Sequence, residues 1–337
     1  HGVDLLDSNG LLQLGMDFGI WVEPEAVNPD SDLYRAHPDW IYRFKNQEPV
    51  QMRNQYTLNI SKKEVKEFIL AFMTDLLSKH KDITFIKWDM NKPLTDVSMG
   101  NTAQDKELWY KHAQALYEIW GILRKKFPYV DFEVCSGGGA RIDLGILRYA
   151  DQCWPSDNTD AYERLFIQEG FSYFYAPRIM TAWVTDASSN NPKKYERPYN
   201  YRFYSSMMGV LGIGADISKL SDEVLKEFKK YISLYKEIRE TVQYGKQYRL
   251  SSVRESPLHA VEYISRDDSE VVVFAFRQGY QFGKNMPNLK LRGLDPDALY
   301  QFEGEDKLLH GSTLMKVGVE TGLWGDFDSR FLRIKRR

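Results

Sequence analysis

Cysteine and long apolar runs are both scarce in this chain of 337 residues. The only two cysteines, Cys135 and Cys153, are too few for a disulfide framework. We therefore expect a reducing compartment and place the protein in the cytoplasm. No apolar run reaches the length of a membrane-spanning helix, and the first residues lack the charged and then apolar order of a secretory leader. We expect no membrane partner.

A strong charge of either sign is also missing. The formal net charge is -2, the basic residues are scattered, and only the end of the chain, from Arg333 onward, clusters positive charge. Nucleic acid is therefore not an expected partner. The six histidines show no metal-ligand spacing, and the Walker and Gly-x-Gly-x-x-Gly patterns are absent. We expect no metal and no cofactor.

Apolar and aromatic side chains are plentiful. Hydrophobic residues make up 43% of the chain and aromatic residues 14%, including 21 Tyr and 8 Trp. This composition supports a sizeable core. Most of the rings must pack inside it, but the apolar face of a pyranose also stacks on an indole or a phenol. A carbohydrate site is compatible with this composition.

The pattern of the chain changes near residue 248. Residues 1–248 alternate short apolar runs with amphipathic helices, which is typical of βα units in an α/β fold. Residues 249–337 show no helical period, and their strand-like runs at 270–277, 289–292 and 331–335 predict a small antiparallel β-sandwich domain. We therefore predict two domains, 1–248 and 249–337.

The first domain is predicted to be part of a (β/α)8 barrel of the TIM type. A closed barrel of this type needs eight strands, and only six good candidates are present, so we expect an N-terminally truncated barrel with strands three to eight. The predicted strands lie at residues 18–21, 83–88, 130–135, the run ending at Trp154, 176–180 and 209–213.

Two helices of this domain have clear signals. Ser61 and Glu64 form a Ser-x-x-Glu capping box at the start of one helix, and Ser221 begins another. Apolar residues then repeat at three- and four-residue steps, which predicts one buried face for each helix. These faces consist of Val65, Phe68, Ile69, Phe72, Met73, Leu76 and Leu77, and of Leu225, Phe228, Ile232 and Tyr235.

Two stretches place a carboxylate where a predicted strand becomes a loop: Ile-Lys-Trp-Asp-Met-Asn at 86–91 and Trp-Pro-Ser-Asp-Asn-Thr-Asp at 154–160. Catalytic groups of a (β/α) barrel gather at this edge. Two carboxylates on separate strands suit cleavage of a glycosidic bond. Asp89 and Asp157 are therefore the candidate catalytic residues, and the neighbouring Lys87, Asn91 and Trp154 are candidate substrate-binding residues.

Each carboxylate also has an alternative interpretation. Lys87 and Asp89 share a strand face opposite Trp88, so the cation is expected to hold Asp89 ionised, but the pair could equally be a structural ion pair. Asp157 follows Pro155, which ends the strand and aims the turn. It could instead belong to an Asx-turn or helix cap, and Asp160 is expected to be a cap.

Three further features could take part in binding or catalysis. The run Cys-Ser-Gly-Gly-Gly-Ala-Arg at 135–141 could bind phosphate through backbone N–H groups, but it could equally hold sugar hydroxyls. Glu23 and Glu25 share a strand face and are a rival carboxylate pair, although a solvated or capping role is commoner. Trp21, Glu23 and Arg53 are additional candidate site residues.

Together these residues resemble the retaining α-galactosidases of glycoside hydrolase family 36. The resemblance extends from about residue 14 to 250. It rests on an ordered series of motifs: Phe-Gly-Ile-Trp-Val-Glu-Pro-Glu at 18–25, Asn-Pro-Asp-Ser-Asp-Leu-Tyr-Arg-Ala-His-Pro-Asp-Trp at 28–40, Arg-Asn-Gln-Tyr at 53–56, Lys-Trp-Asp-Met-Asn at 87–91, Cys-Ser-Gly-Gly-Gly-Ala-Arg-Ile-Asp at 135–143 and Ser-Asp-Asn-Thr-Asp at 156–160.

The resemblance implies a role for each matching position. Asp89 would be the nucleophile and Asp157 the acid/base residue of a two-step hydrolysis of terminal α-galactosides. The residues that would line the galactose pocket are Trp21, Arg53, Lys87, Cys135 and Gly138. It also implies that a β-sandwich and the first two barrel strands lie upstream. A second copy of the chain is a further candidate partner, in a homo-oligomer of the full-length protein.

The mechanism predicts carboxyl groups about 5–5.5 Å apart, with the charge of Asp89 raising the pKa of Asp157. Three alternatives remain open. One is an α-N-acetylgalactosaminidase on the same scaffold, and another is a non-catalytic sugar-binding fragment. The third is a barrel enzyme that binds phosphate through Gly137, Gly138 and Gly139.

Overall fold

A computed structural model of the chain describes residues 13–100, 102–185, 197–279 and 286–337. These residues divide into two compact units, with the division between Trp154 and Pro155. No helix in the described part of the chain combines the length and the apolar character needed to cross a bilayer.

The first unit is built on a parallel sheet. The strands of the unit are β1 Phe18–Val22, β2 Ala26–Val27, β3 Tyr56–Thr57, β4 Ile83–Trp88, β5 Asp131–Val134 and β6 Gln152–Cys153. Its helices are α1 Asp32–Ala36, α2 Lys63–Lys79 and α3 Thr102–Lys126. The sheet has the strand order β1-β4-β5-β6, and all of its pairings are parallel. Strands β2 and β3 form a separate antiparallel pair.

Backbone hydrogen bonds continue past the strand ends and align their carboxyl edges. The N–H of Asp89 donates to the carbonyl of Val22 at 2.9 Å, and the N–H of Cys135 donates to that of Trp88 at 2.9 Å. The N–H of Trp154 donates to the carbonyl of Val134 at 3.1 Å. The first residue after each of β4, β5 and β6 therefore lies at the same edge of the sheet, where a parallel sheet presents its ligands.

Side chains alternate along β4 as the sequence predicts. Trp88 is fully buried and packs against Trp120 of α3, with ring centroids 5.6 Å apart. Lys87 instead lies beside Glu133 of β5. The apolar face of the strand therefore meets the helical layer, and its polar face carries Lys87.

Helix α2 forms where predicted, but two details of that prediction are wrong. Its N-cap residue is Lys62, with no side-chain capping bond, because Ser61 donates to Asn59 Oδ1 instead. Phe68 and Phe72 are exposed by 39% and 50%. A 3.6-residue period spreads a seven-residue stripe wider than the contact with the sheet, so only the central residues are buried. These are Val65, Ile69, Met73 and Leu77.

The second unit begins with a parallel pair and ends with an antiparallel sheet. Its strands are β7 Thr181–Thr185, β8 Val210–Gly214, β9 Lys246–Ser251, β10 Leu258–Ile264, β11 Glu270–Arg277, β12 Leu299–Phe302, β13 Leu308–His310 and β14 Ser329–Arg336. Its helices are α4 Ala161–Ser172, α5 Tyr199–Met207, α6 Asp222–Tyr244 and α7 Gly311–Lys316. Strands β7 and β8 pair in parallel. The antiparallel strands form one sheet of order β13-β12-β14-β11-β10-β9.

The antiparallel sheet is covered on both faces within this unit. Phe274 packs in one core with Phe203 of α5 and Phe228 of α6. Val273 packs in a second core with Leu291 and other residues of the segment after β11. The alternation of side chains along β11 thus sends neighbouring residues into two different cores.

Three predictions for this unit need correction. Residues 176–180 are not a strand, because Pro177 begins a short 3-10 helix, Pro177–Ile179, and proline lacks the N–H that a strand ladder needs. The strand is β7, directly after it. Of residues 289–292, only Leu289 forms an isolated bridge, to Val319. Leu225 of α6 is exposed by 38%.

Other predictions for this unit agree with the structure. Ser221 caps α6 by accepting from the N–H of Val224, and Phe228 and Tyr235 are buried.

The domain boundary predicted between residues 248 and 249 falls inside β9. We therefore propose to place the change of architecture at Gly245, between α6 and β9.

Candidate active site

Asp89 lies at the carboxyl end of β4 and is almost fully buried, with 6% of its surface exposed. Its Oδ2 accepts from Trp21 Nε1 and from Asn91 Nδ2, each at 3.0 Å. Its Oδ1 accepts from the backbone N–H of Met90 at 2.8 Å. The thiol of Cys135 is a further hydrogen-bond partner. Four donors from three strand ends and one loop therefore converge on this carboxylate.

These donors keep Asp89 ionised. Burial acts to raise the pKa of Asp89, but the hydrogen bonds from Trp21, Cys135, Asn91 and Met90 outweigh it and hold the pKa below its ordinary value. The carboxylate is therefore charged at neutral pH and fixed in orientation, as a nucleophile requires. Its main stabilisers are neutral donors, which corrects the expectation that the Lys87 charge does this work.

Lys87 is held by the neighbouring strand. Its Nζ lies 2.8 Å from Glu133 Oε1 and 4.3 Å from the centre of the Trp154 ring. The other oxygen of Glu133 accepts from Gln152 Nε2 at 2.9 Å. Lys87 and Trp154, both predicted site residues, are therefore brought together, and Lys87 forms an ion pair with Glu133.

Cys135 is buried and acts as a donor rather than as a nucleophile. Burial and the charge of Asp89 raise the pKa of its thiol to about 12, so the thiol keeps its proton at neutral pH. The backbone N–H of Gly138 is directed at the same sulfur. Cys135 and Gly138 thus lie together beside Asp89, and their place in a galactose pocket stays a prediction.

The glycine-rich loop forms a tight turn that only small residues enter easily. Gly137 and Gly138 have positive φ angles of 51° and 90°, a region that disfavours other residues. The N–H of Ser136 donates to the carbonyl of Gly138 at 2.8 Å, and the Ser136 hydroxyl donates to the Met90 carbonyl at 2.9 Å. The N–H groups of Ser136 and Gly138 are thus engaged within the protein, which disfavours the phosphate-binding alternative.

Glu25 is not part of a catalytic pair and is not solvated. It is fully buried and accepts from Arg141 Nη1 at 2.6 Å, from Trp88 Nε1 at 2.7 Å and from His112 Nε2 at 3.0 Å. Burial opposes ionisation, but Arg141 and His112 prevail and lower the pKa of Glu25 to about 2. Glu25 therefore anchors Arg141, the residue that ends the glycine-rich loop.

Glu23 was a candidate site residue, but sequence reasoning did not predict its contacts with Asn91 and Gln55. It accepts from Asn91 Nδ2 and from Gln55 Nε2. Asn91 donates at the same time to Asp89. The available signal was the two-residue period that places Glu23 on the same side of the chain as Trp21.

Arg53 lies at the tip of a two-residue turn. Met52 and Gln55 exchange both backbone hydrogen bonds, at 2.9 and 3.2 Å, and Arg53 and Asn54 have positive φ angles of 54° and 57°. These are the angles of a tight hairpin turn. The Arg53 side chain is exposed, and its place in a galactose pocket stays a prediction.

Asp157 belongs to the second unit and is exposed at the tip of its loop. The Asn158 N–H donates to Ser156 Oγ at 3.1 Å, and the Asp160 N–H donates to Asn158 Oδ1 at 3.1 Å. Asp160 caps α4 by accepting from the N–H groups of Tyr162 and Glu163, as predicted. The acid/base role of Asp157 and its distance from Asp89 stay predictions.

A metal centre has no candidate in the part of the chain that the structure describes. Within residues 13–100, 102–185, 197–279 and 286–337, no three His, Cys, Asp or Glu side chains are grouped so that they could hold a metal ion.

Comparison with known families decides the relationship. The model of the Melibiase family matches residues 3–245, and that of the glycosyl hydrolase family 36 C-terminal domain matches residues 258–334. The chain belongs to the melibiase family. The resemblance to glycoside hydrolase family 36 is therefore confirmed.

Curated members of the melibiase family cover nearly the whole chain. It is 38% identical over 321 residues to the probable alpha-galactosidase G of Aspergillus terreus, a match that spans 95% of this chain and 43% of that protein. It is 37% identical over 328 residues to alpha-galactosidase AgaA of Geobacillus stearothermophilus, spanning 96% of this chain and 44% of that protein. The chain thus spans less than half the length of these melibiase relatives.

Solved structures of melibiase relatives have the same fold. The crystal structure of alpha-galactosidase AgaA from Geobacillus stearothermophilus matches with a TM-score of 0.92 at 36% identity, over 98% of this chain and 46% of that one. An AgaA variant in complex with raffinose matches with a TM-score of 0.93 at 35% identity, over 98% of this chain and 46% of that one. The predicted partial barrel followed by an antiparallel β domain is confirmed.

Proposed function

We infer that the protein hydrolyses terminal α-galactosides with retention of configuration at the anomeric carbon. The observation that carries this inference is the state of Asp89. In a chain of the melibiase family, a buried carboxylate at a strand end is kept ionised and oriented by Trp21, Asn91 and Cys135. This arrangement supports attack on an electrophilic carbon, because the carboxylate needs no proton removal before it reacts.

The chemistry proceeds in two balanced steps. Asp89 attacks the anomeric carbon and forms an ester to the sugar, while the bond to the departing oxygen breaks and Asp157 gives that oxygen its proton. Water then attacks the anomeric carbon, Asp157 takes its proton, and the ester bond to Asp89 breaks. We expect the two carboxyl groups to lie about 5–5.5 Å apart when substrate is bound.

Oligosaccharides that end in α-linked galactose are the proposed substrates. Variants of AgaA have been solved in complex with raffinose and with stachyose. In this chain, Trp21 is 54% exposed while its indole N–H is bound to Asp89. The free face of the ring can therefore stack on a sugar that is held next to the carboxylate.

Hydrolysis of an aryl α-galactoside, followed by NMR of the anomeric proton, tests this function. The first sugar product should be α-galactose, and β-galactose would contradict the retaining mechanism. Asp89→Asn should lower kcat by at least about 1,000-fold, because the amide is a far weaker nucleophile. Asp75→Asn is the matched control, since Asp75 lies on the exposed side of α2 and pairs only at the surface with Lys79.

The same assay separates the other functions. A strong preference for an aryl α-N-acetylgalactosaminide over the galactoside would show that the enzyme is an α-N-acetylgalactosaminidase instead. If the wild-type protein shows no turnover and the Asp89→Asn variant still binds galactose, the protein is a sugar-binding module instead.

A further inference from the structure

Glu23 follows strand β1 and receives two side-chain amides. Asn91 Nδ2 donates to its Oε1 and Gln55 Nε2 donates to its Oε2. Asn91 comes from the loop after β4, and Gln55 from the hairpin that carries Arg53. The Glu23 carboxylate is thus the group that joins these two segments.

The Asn91 amide has two hydrogens and uses them on two carboxylates. One hydrogen is donated to Glu23 and the other to Asp89 Oδ2, at 3.0 Å. The amide oxygen faces the glycine-rich loop, because a Cβ built on Gly137 would lie 4.0 Å from Asn91 Oδ1. Turning the amide over would place this oxygen against a carboxylate, so Glu23 and Asp89 together determine its orientation.

We propose that Glu23 is a positioning residue, which keeps the Asn91 N–H directed at Asp89 throughout the reaction. The proposal rests on the function proposed above. Once Asp89 is esterified to the sugar it loses its charge, and it then attracts the Asn91 amide less strongly. Glu23 is not esterified, so its oxygen continues to accept from the amide and holds it in place until Asp89 departs as a carboxylate and needs the donor again.

The two partner amides of Glu23 suggest a variant that should restore the function. Gln55 Oε1 is buried and has no hydrogen-bond partner among the described residues. In Glu23→Gln, the new amide oxygen can accept from Asn91. The new NH2 group can donate to Gln55 Oε1 once the Gln55 amide turns over. Glu23→Ala cannot make either contact.

Four variants, measured with an aryl α-galactoside, test the proposal. Glu23→Ala should lower kcat by about 10- to 100-fold with a KM within about threefold of the wild type, because an interaction used in the transition state is lost. Glu23→Gln should stay within about threefold of the wild-type kcat. Asn91→Ala should lower kcat at least as far as Glu23→Ala, and the double variant should be no slower than Asn91→Ala alone, since both residues act through one bond.

Glu67→Ala is the matched control, because Glu67 is exposed on α2 and pairs weakly with Lys63 at 3.7 Å. Equal kcat for Glu23→Ala and this control would overturn the proposal, and so would additive losses in the double variant. A wild-type protein without turnover would contradict the proposed function itself. An active wild type with an unaffected Glu23→Ala would contradict only the role of Glu23.

Discussion

Trp21 Nε1 donates a hydrogen bond of 3.0 Å to Asp89 Oδ2 across two adjacent parallel strands. The same Trp21 ring is 54% exposed. One side chain therefore fixes the carboxylate with its polar atom and leaves an apolar face open. In the strand register Trp21 pairs with Lys87 of β4. Asp89 follows Lys87 by two residues, so it lies on the same side of β4.

Trp21→Phe should separate these two roles, because phenylalanine keeps a ring but has no N–H. The indole hydrogen bond lowers the pKa of Asp89, so its loss should raise that pKa and move the acid limb of the pH profile to higher pH. We expect kcat/KM at neutral pH to fall about 10- to 100-fold. Profiles of kcat/KM against pH measure both effects.

Trp324→Phe provides the control for this experiment, since Trp324 is exposed by 74% in the second unit. Its pH profile should match that of the wild type. An acid limb that stays in place in Trp21→Phe would show that the indole N–H does not stabilise the charged carboxylate.

Cys135 should be nearly inert toward thiol reagents in the folded protein. With the pKa raised to about 12, only about one thiol in ten thousand is ionised at pH 8. Alkylation by iodoacetamide, followed by peptide mass spectrometry, should be very slow for Cys135 until the protein is unfolded in denaturant. Rapid labelling of the native protein at pH 7 would contradict the role of Cys135 as a protonated donor.

Glu25→Gln should destabilise the protein. The side chain at position 25 is fully buried, and a neutral amide there cannot compensate the charge of Arg141. We expect the free energy of unfolding at pH 7 to fall by about 3–5 kcal/mol. Because the pKa of Glu25 is lowered to about 2 from an ordinary value near 4.5, its ion pairs stabilise the fold above pH 4.5. This stabilisation is lost as the pH falls toward 2.

Urea unfolding at pH 7 and at pH 3 tests this prediction. Glu107→Gln is the control, since Glu107 pairs with Lys111 on the exposed side of α3, and its free energy of unfolding should match that of the wild type. A Glu25→Gln variant as stable as this control would show that the buried network contributes little.

Glu262 should affect stability in the opposite direction. It is fully buried in β10, and burial raises its pKa to about 8 despite a hydrogen bond of 2.8 Å from the Arg292 N–H. Between pH 4.5 and 8 the unfolded chain gains from ionising Glu262 while the folded chain keeps it protonated. Stability is therefore lost as the pH rises through this range.

Glu262→Gln removes this titration and should increase the free energy of unfolding by about 1–3 kcal/mol at pH 8. The gain should be much smaller at pH 5, because this pH is only about half a unit above the ordinary pKa of 4.5. Chemical unfolding at the two pH values measures the difference, and an equal effect at both would exclude a raised pKa.

Strand prediction was most accurate where β-branched and aromatic residues are frequent and no proline or glycine interrupts the run. The bounds predicted for the strand at residues 83–88 and for the strand at 270–277 agree with β4 and β11. The prediction at 176–180 was wrong because Pro177 stands inside an apolar run and ends its ladder before it can form. The predictions of helix caps were only partly correct. Ser221 and Asp160 act as predicted. Ser61 instead donates to Asn59, a partner that no helix signal reveals.

The residues of the candidate site could be chosen from the sequence, because strand ends and a series of local motifs mark them. Their partners could not. Lys87 is adjacent along the chain to the Asp89 region, but its ion pair is with Glu133 of the next strand. Asn91 donates to Glu23, 68 residues earlier. Local patterns in the chain were enough to predict the strand that carries Asp89 and the type of fold. The donors that surround this carboxylate could be identified only from the folded structure, because parallel register brings together strand ends that local patterns cannot connect.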